Sequence, residues 1–91
     1  LYDCYSILVL LTLEDAGLCA PGTAADWIAD RDLSHRGEVS LNPHGGQLAC
    51  GQADLSGGMS HLVEAVHQAH GTAGERQMAD PRLALVTGNG A

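Results

Sequence analysis

The sequence has no phenylalanine and no lysine, and aromatic residues make up only 3% of its 91 positions. All four basic side chains are arginines, they do not cluster, and the net charge is −7. The surface therefore lacks the positive patch that nucleic acid or an anionic membrane would require. The longest apolar run, residues 7–13, is far shorter than the ~20 residues that a membrane-spanning helix needs. We expect neither a nucleic-acid partner nor a membrane span.

Three cysteines, an odd number without CxxC spacing, indicate neither a disulfide framework nor a zinc knuckle. A reducing, cytoplasmic setting fits this usage best. His61, His67 and His70 share one predicted helix, but a zinc site needs three or four converging ligands. We interpret His67 and His70 as surface residues, and we expect no metal and no permanently bound cofactor.

The order of hydrophobic segments predicts one small α/β domain spanning residues 1–91. The apolar run favours a helix over residues 7–16, with Ser6 as N-cap and Gly17 as the stop, although a buried strand is an alternative. A second helix follows from an apolar stripe that starts at Met59 and stops at Gly71. Residues 23–32 form a short helix or an irregular excursion, and residues 37–41 and 83–87 are predicted strands. The first residues read as the middle of an element, so we expect a fragment of a larger protein.

The glycine-rich loop from Asn42 to Gly58 stands out as the candidate site. Such glycine density is used where the backbone turns sharply or approaches a ligand closely, although most such loops are only turns. A helix starting directly after the loop would aim its free N–H groups back at it, which suits an anion or an oxyanion. His44 is the histidine of greatest interest, and its alternative is a turn residue bonded to nearby backbone.

A second candidate lies at the start of the chain, where Tyr2, Asp3 and Cys4 bring a phenol, a carboxylate and a thiol together before a helix. A thiol in that position can act as a base or nucleophile. The alternative is a buried structural cysteine.

Several motifs, in order and with matching spacing, cover essentially the whole chain: Leu1-Tyr2-Asp3-Cys4-Tyr5-Ser6, Leu13-Glu14-Asp15-Ala16-Gly17-Leu18-Cys19, Asn42-Pro43-His44-Gly45-Gly46, Gly51-Gln52, Gly57-Gly58 and Gly71-Thr72-Ala73-Gly74-Glu75-Arg76-Gln77. Together they resemble the C-terminal half of the thiolase superfamily, most of all the sterol-carrier-protein type and the bacterial lipid-transfer proteins. The resemblance implies the layered αβαβα thiolase fold, of which this chain would be most of the second half.

The resemblance also implies chemistry on coenzyme A thioesters, with a nucleophilic cysteine in the first half of the fold. Sterol-carrier-type members carry a His-Asp-Cys-Phe motif, which places Tyr2 at the oxyanion-binding histidine and Cys4 at the acid/base cysteine. Their Gly-His-Pro motif places Gln52 at the activating histidine. Glutamine cannot take a proton at neutral pH, so ordinary thiolysis is not expected. Related lipid-transfer-type aldolases, which this pattern also resembles, use tyrosines for retro-aldol cleavage. Tyr2 fits one of these tyrosines, whereas the second would lie near Gln52 and is absent from this sequence.

From these residues we expect the C-terminal part of a thiolase-like enzyme acting on acyl-CoA thioesters by acyl transfer or by forming or cleaving a C–C bond. The expected catalytic residues are Tyr2, Cys4 and Gln52, and the expected substrate-binding residues are Asn42, His44, Gly45 and Gly46. Two alternatives stay open: a retro-aldolase of steroid or lipid side chains, and a non-catalytic subunit that binds acyl-CoA or lipid. We expect a homodimer or a complex with a partner subunit, with the isolated fragment inactive.

Overall fold

The computed structural model describes residues 1–89, which form four α-helices joined by loops and two single 3₁₀ turns. The elements are α1 (Ser6–Asp15), α2 (Ala24–Ala29), α3 (Gly46–Cys50) and α4 (Met59–His70), with 3₁₀ turns at Asp54–Ser56 and Gly74–Arg76. None of the described helices has the length and apolar character needed to cross a bilayer.

Helix α1 confirms the helical interpretation of the apolar run. It ends where predicted, since Gly17 follows it at φ 73° and the Leu18 N–H donates to the Leu13 carbonyl at 2.9 Å. Its predicted cap was wrong: Ser6 is the first helical residue, and extended Tyr5 precedes it without a side-chain capping bond.

A small apolar core lies between α1 and α2. Leu13 and Ala24 are each only 2% exposed, and Trp27 and Ile28 pack against them. Glu14 strengthens this junction, because its Oε1 accepts the Ala24 backbone N–H at 3.1 Å at the start of α2. Residues 23–32 therefore contain the short helix that was one of two alternatives.

Helix α4 forms where the periodicity predicts it and ends at Gly71, whose φ is 70°. Its orientation differs from a simple amphipathic helix. The buried residues are His61, Glu64 and Gln68, whereas the apolar stripe is about half exposed, with Met59, Leu62, Val63 and Val66 between 45% and 54%.

The burial of the polar side of α4 is explained by its partners. Arg76 donates to both oxygens of Glu64, at 2.9 to 3.1 Å, and Gln68 donates to Glu64 and to the Arg76 carbonyl. Buried polar groups are tolerated when each is paired in this way. The segment after α4 therefore supplies the partners that hold this side of the helix inward.

The two predicted strands do not form. Across residues 1–89 no segment is in a β-ladder, and Leu83 is 94% exposed. A strand needs a neighbouring strand to exchange backbone hydrogen bonds, and the segments instead make isolated contacts, such as the Tyr2 N–H donating to Thr87 Oγ1 at 2.9 Å. The expected α/β layering is therefore not confirmed by this chain.

Candidate functional site

The carboxylate of Asp3 occupies the N-terminus of helix α3. Oδ1 accepts the Gln47 backbone N–H at 2.9 Å, and Oδ2 accepts that of Leu48 at 3.2 Å. These N–H groups have no partner within the helix and carry its positive partial charge. Asp3 is 4% exposed, so the two N–H groups at the end of the helix supply hydrogen-bond partners for a buried carboxyl group.

The glycine pair at the start of α3 makes room for this carboxylate. A Cβ on Gly46 would lie 2.2 Å from Asp3 Oδ2. At that distance the Asp3 side chain or the backbone would have to move. Gly45 and Gly46 also have φ values of 103° and 65°, in the left-handed region that glycine adopts without strain. The pair is therefore required by both backbone conformation and space.

The sequence predicts that the helix after the glycine-rich loop aims its free N–H groups at a bound anion or an oxyanion, which stays a prediction. The Asp3 carboxylate lies instead at the N-terminus of α3, inside that loop. The residues of α3 belong to the glycine-rich loop in the sequence-based prediction, and that prediction gives Asp3 no role of its own. The signal available was a single carboxylate between Tyr2 and Cys4, but its partners lie more than 40 positions away in the chain. No local pattern predicts such a contact.

The imidazole of His61 also contacts the Asp3 carboxylate. Nε2 of His61, in the first turn of α4, lies 3.2 Å from Asp3 Oδ1, and His61 is 4% exposed. The His44 ring packs edge-on against the His61 ring at a centroid distance of 5.2 Å. We call Asp3, His44, Gln47 and His61 the Asp3 cluster.

Burial lowers the pKa of both His44 and His61 from the ordinary value for imidazole. Nearby carboxylates oppose this effect without reversing it: Glu64 and then Asp3 at His44, and Asp3 at His61. The two histidines are therefore neutral near pH 7, and each offers one N–H and one acceptor nitrogen. Within residues 1–89 the Nδ1 atoms of both rings lack a hydrogen-bond partner.

Two of the three expected catalytic residues meet at the edge of this cluster. The Gln52 side-chain amide donates to the Tyr2 hydroxyl at 3.5 Å, at the long limit of a hydrogen bond. Tyr2 is half-buried and Gln52 is exposed. Cys4 is half-buried, and in the described part of the chain its thiol makes no hydrogen bond to either of them.

The four expected substrate-binding residues divide into two pairs. Asn42 and His44 border a cavity of about 340 Å³ whose walls are mostly apolar. Gly45 and Gly46 instead face Cys50 and Asp3. Asn42 has a structural role as well, because its side chain accepts from the Leu1 backbone nitrogen and donates to the Leu1 carbonyl. Its backbone has a φ of 45°.

The helical histidines do not assemble a metal site. Among residues 1–89, no three histidine, cysteine, aspartate or glutamate side chains converge to hold an ion. His67 instead places Nδ1 3.0 Å from Thr72 Oγ1 at the end of α4, and His70 is exposed.

The sequence profile of the family described as thiolase C-terminal domain-like matches residues 1–91. The chain belongs to this family, which supports a thiolase-like fold for the protein.

Curated proteins of similar sequence include two steroid-cleaving enzymes and a sterol carrier protein. The chain is 45% identical over 87 residues to a steroid side-chain-cleaving aldolase of Thermomonospora curvata, covering 96% of this chain and 21% of that protein. It is 42% identical over 72 residues to the 17-hydroxy-3-oxo-4-pregnene-20-carboxyl-CoA lyase of Mycobacterium tuberculosis, covering 79% of this chain and 18% of that protein. Sterol carrier protein 2 of Gallus gallus is 35% identical over 85 residues, or 93% of this chain and 16% of that protein.

The chain thus spans about a fifth of the length of these relatives. No solved structure matches it.

Proposed function

We propose that the protein cleaves a carbon–carbon bond in the side chain of a β-hydroxyacyl-CoA thioester by a retro-aldol reaction. The observation that carries this proposal is the contact between Tyr2 Oη and Gln52 Nε2 at 3.5 Å. The resemblance to thiolases places catalytic histidines at both positions, and neither residue here is a histidine. A phenol that transfers a proton and an amide that orients it suit a retro-aldol reaction, in which one proton moves from the β-hydroxyl oxygen to Cα.

In a retro-aldol cleavage the β-hydroxyl loses its proton, the bond between Cα and Cβ breaks, and the β-carbon becomes a carbonyl. The electron pair of the broken bond passes to the thioester as an enolate, and Cα then takes a proton. The net change is one proton moved from oxygen to carbon. The Tyr2 hydroxyl can relay this proton: it gives its own proton to Cα and accepts the proton of the β-hydroxyl, so the phenol is neutral again when the bond has broken.

Gln52 would serve as an orienting group. Its amide N–H points to the Tyr2 oxygen, and a glutamine neither accepts nor releases a proton at neutral pH. It therefore fixes one side of the Tyr2 oxygen and leaves the other side for the substrate. The same property removes the general base that thiolysis needs, which favours cleavage of a hydroxyacyl over a ketoacyl thioester.

The names of two relatives support the choice of substrate class. One is called a steroid side-chain-cleaving aldolase and the other a lyase of a 17-hydroxy steroid carboxyl-CoA, and both share more identity with this chain than sterol carrier protein 2 of Gallus gallus does. We propose a bulky, apolar acyl-CoA of the steroid side-chain type, with no permanently bound cofactor. The half-exposed apolar stripe of α4 would be covered by other parts of the enzyme or by a second subunit.

The proposal is tested with the natural full-length polypeptide, numbered as here. It is given 17-hydroxy-3-oxo-4-pregnene-20-carboxyl-CoA in one reaction and, in another, a β-ketoacyl-CoA with free coenzyme A. Release of a ketosteroid and a shortened acyl-CoA from the first substrate, without thiolysis of the second, is the expected result. Thiolysis alone would replace the proposal with a thiolase, and binding without turnover of either would replace it with a non-catalytic acyl-CoA-binding subunit.

A further inference from the structure

His61 is a buried imidazole that the proposed reaction does not use. Its Nε2 lies 3.2 Å from Asp3 Oδ1, and only 4% of the residue is exposed. The Asp3 carboxylate oxygens already accept two backbone N–H groups from α3, so Nε2 can approach Oδ1 favourably only as a third donor. In the neutral ring this places the proton on Nε2 and leaves Nδ1 as the acceptor.

The Gln47 side chain agrees with this protonation. Its amide nitrogen lies 3.4 Å from His61 Nε2, where two donors would face each other, while Gln47 Oε1 has no partner within the described residues. Rotating the amide by half a turn brings Oε1 towards the same N–H and removes the conflict. Nε2–H of His61 then has two acceptors, the Asp3 carboxylate and the Gln47 carbonyl.

His61 is connected to Tyr2 in two ways. The first is indirect: His61 and α3 hold the Asp3 side chain, and Asp3 is the residue bonded directly after Tyr2. The second is direct: the two rings lie 6.3 Å apart between centroids, at an angle of 60°. The Tyr2 ring also lies over the start of α4, with Cε2 3.5 Å from the place where a Cβ on Gly58 would stand.

We infer that His61 is a positioning residue that holds the Tyr2 hydroxyl in place, acting through Asp3 and through contact with the Tyr2 ring. This inference rests on the proposed function, in which Tyr2 carries the proton. Small displacements of a catalytic group are costly, since a shift of ~1 Å can reduce a rate by ~100-fold. His61 should therefore affect kcat more than substrate binding.

The test compares His61→Gln with His61→Leu in the natural full-length protein acting on the 17-hydroxy steroid-CoA. The glutamine amide nitrogen can occupy the place of Nε2 and donate to Asp3, whereas leucine keeps the bulk and loses the donor. We expect His61→Leu to lower kcat by about 10- to 100-fold with KM within about threefold, and His61→Gln to keep most of kcat. The matched control is His70→Leu, an exposed position on the same helix, which should leave both constants unchanged.

If His61→Leu does not fold, His61→Asn takes its place. The asparagine amide reaches only as far as Nδ1, so this variant cannot donate to Asp3 and should behave as the leucine variant was expected to. Equal losses in the glutamine variant and in the donor-less variant would overturn the inference.

A double variant separates positioning from general damage to the fold. In a Tyr2→Phe background, loss of the His61 donor should lower kcat no further, because the group it positions is already gone. Losses that multiply would show that His61 acts independently of Tyr2 and would overturn the inference.

Failure of the proposed function would be recognised separately. If Tyr2→Phe keeps full activity, Tyr2 is not the proton carrier, and the inference is then decided by the ¹⁹F NMR signal of 3-fluorotyrosine incorporated at position 2. A signal that moves in the donor-less variant and not in His61→Gln supports positioning. A signal unchanged in both overturns it.

Discussion

Replacing Gly46 with alanine should open the start of helix α3. The new Cβ would stand 2.2 Å from Asp3 Oδ2 and 2.7 Å from its Cγ, so the carboxylate must leave its place. The left-handed backbone of Gly46, at φ 65°, costs an alanine about 1–2 kcal/mol. Each lost hydrogen bond to the ionised carboxylate costs about 1.5–3 kcal/mol more. We expect the opening free energy of this segment to fall by at least about 3 kcal/mol, allowing for partial relaxation.

The assay is hydrogen–deuterium exchange of the backbone amides of Gln47 and Leu48, which donate to Asp3. A loss of about 3 kcal/mol corresponds to exchange more than about 100-fold faster. The matched control is Gly71→Ala, because Gly71 also has a positive φ, 70°, but nothing within 4 Å of a new Cβ. That variant should show only the backbone cost, in the last turn of α4. Similar local effects in the two variants would refute the argument that Gly46 makes room for Asp3.

Three further predictions concern stability, each measured by denaturant unfolding of the natural full-length protein. Burial tends to raise the pKa of Glu64, but the hydrogen bonds from Arg76 and Gln68, together with the charge of Arg76, outweigh it, so the pKa is lowered. The stability that Glu64 contributes is thus present above its unfolded pKa of about 4.3 and lost as pH falls through the folded value. Glu64→Gln should therefore be less stable than the natural protein at pH 7, and the difference should shrink as the pH falls below about 4.3; an unchanged difference would contradict the assignment. Leu13→Ala should lower the free energy of unfolding by about 2–5 kcal/mol, because Leu13 is 2% exposed. Leu11→Ala should lower it much less, because Leu11 is 48% exposed; equal losses would contradict the assignment of Leu13 to the core. Asn42→Gly should be better tolerated than Asn42→Ala, since both lose the side-chain hydrogen bonds but only glycine accepts a φ of 45° freely, and the reverse order would refute a requirement for positive φ.

Helices α1 and α4 could be predicted from the sequence because local patterns determine them. Gly17 follows the end of α1 and Gly71 follows the end of α4, and both glycines have the positive φ that is common just after a helix. These signals act within one turn of the chain, so periodicity and a terminating glycine are enough to find them.

The contacts that define the candidate site could not be predicted in the same way. Asp3 reaches α3 across more than 40 positions, and a five-residue helix has too few turns to show a period. The polar side of α4 is buried because Arg76, 12 positions after Glu64, turns back to pair with it. Helical periodicity alone indicates which residues share a face, and the partners decide which face is buried.

Tyr2 is a candidate both from its place beside Asp3 and Cys4 and from the resemblance to thiolases, whereas Gln52 is a candidate through the resemblance alone. The structure brings their side chains to 3.5 Å although they are 50 positions apart. Strands at residues 37–41 and 83–87 were predicted from composition and do not form, because strand formation depends on pairing that a single segment cannot specify.

The most direct test of the central claim is the rate of ketosteroid release from 17-hydroxy-3-oxo-4-pregnene-20-carboxyl-CoA by the natural full-length protein and by Tyr2→Phe. Tyr5→Phe is the matched control, because Tyr5 is 70% exposed and lies outside the cluster. The account predicts that Tyr2→Phe lowers kcat by ~100-fold or more, as expected for loss of a proton-transferring group, and that Tyr5→Phe leaves it unchanged. Equal rates for the natural protein and Tyr2→Phe would contradict it.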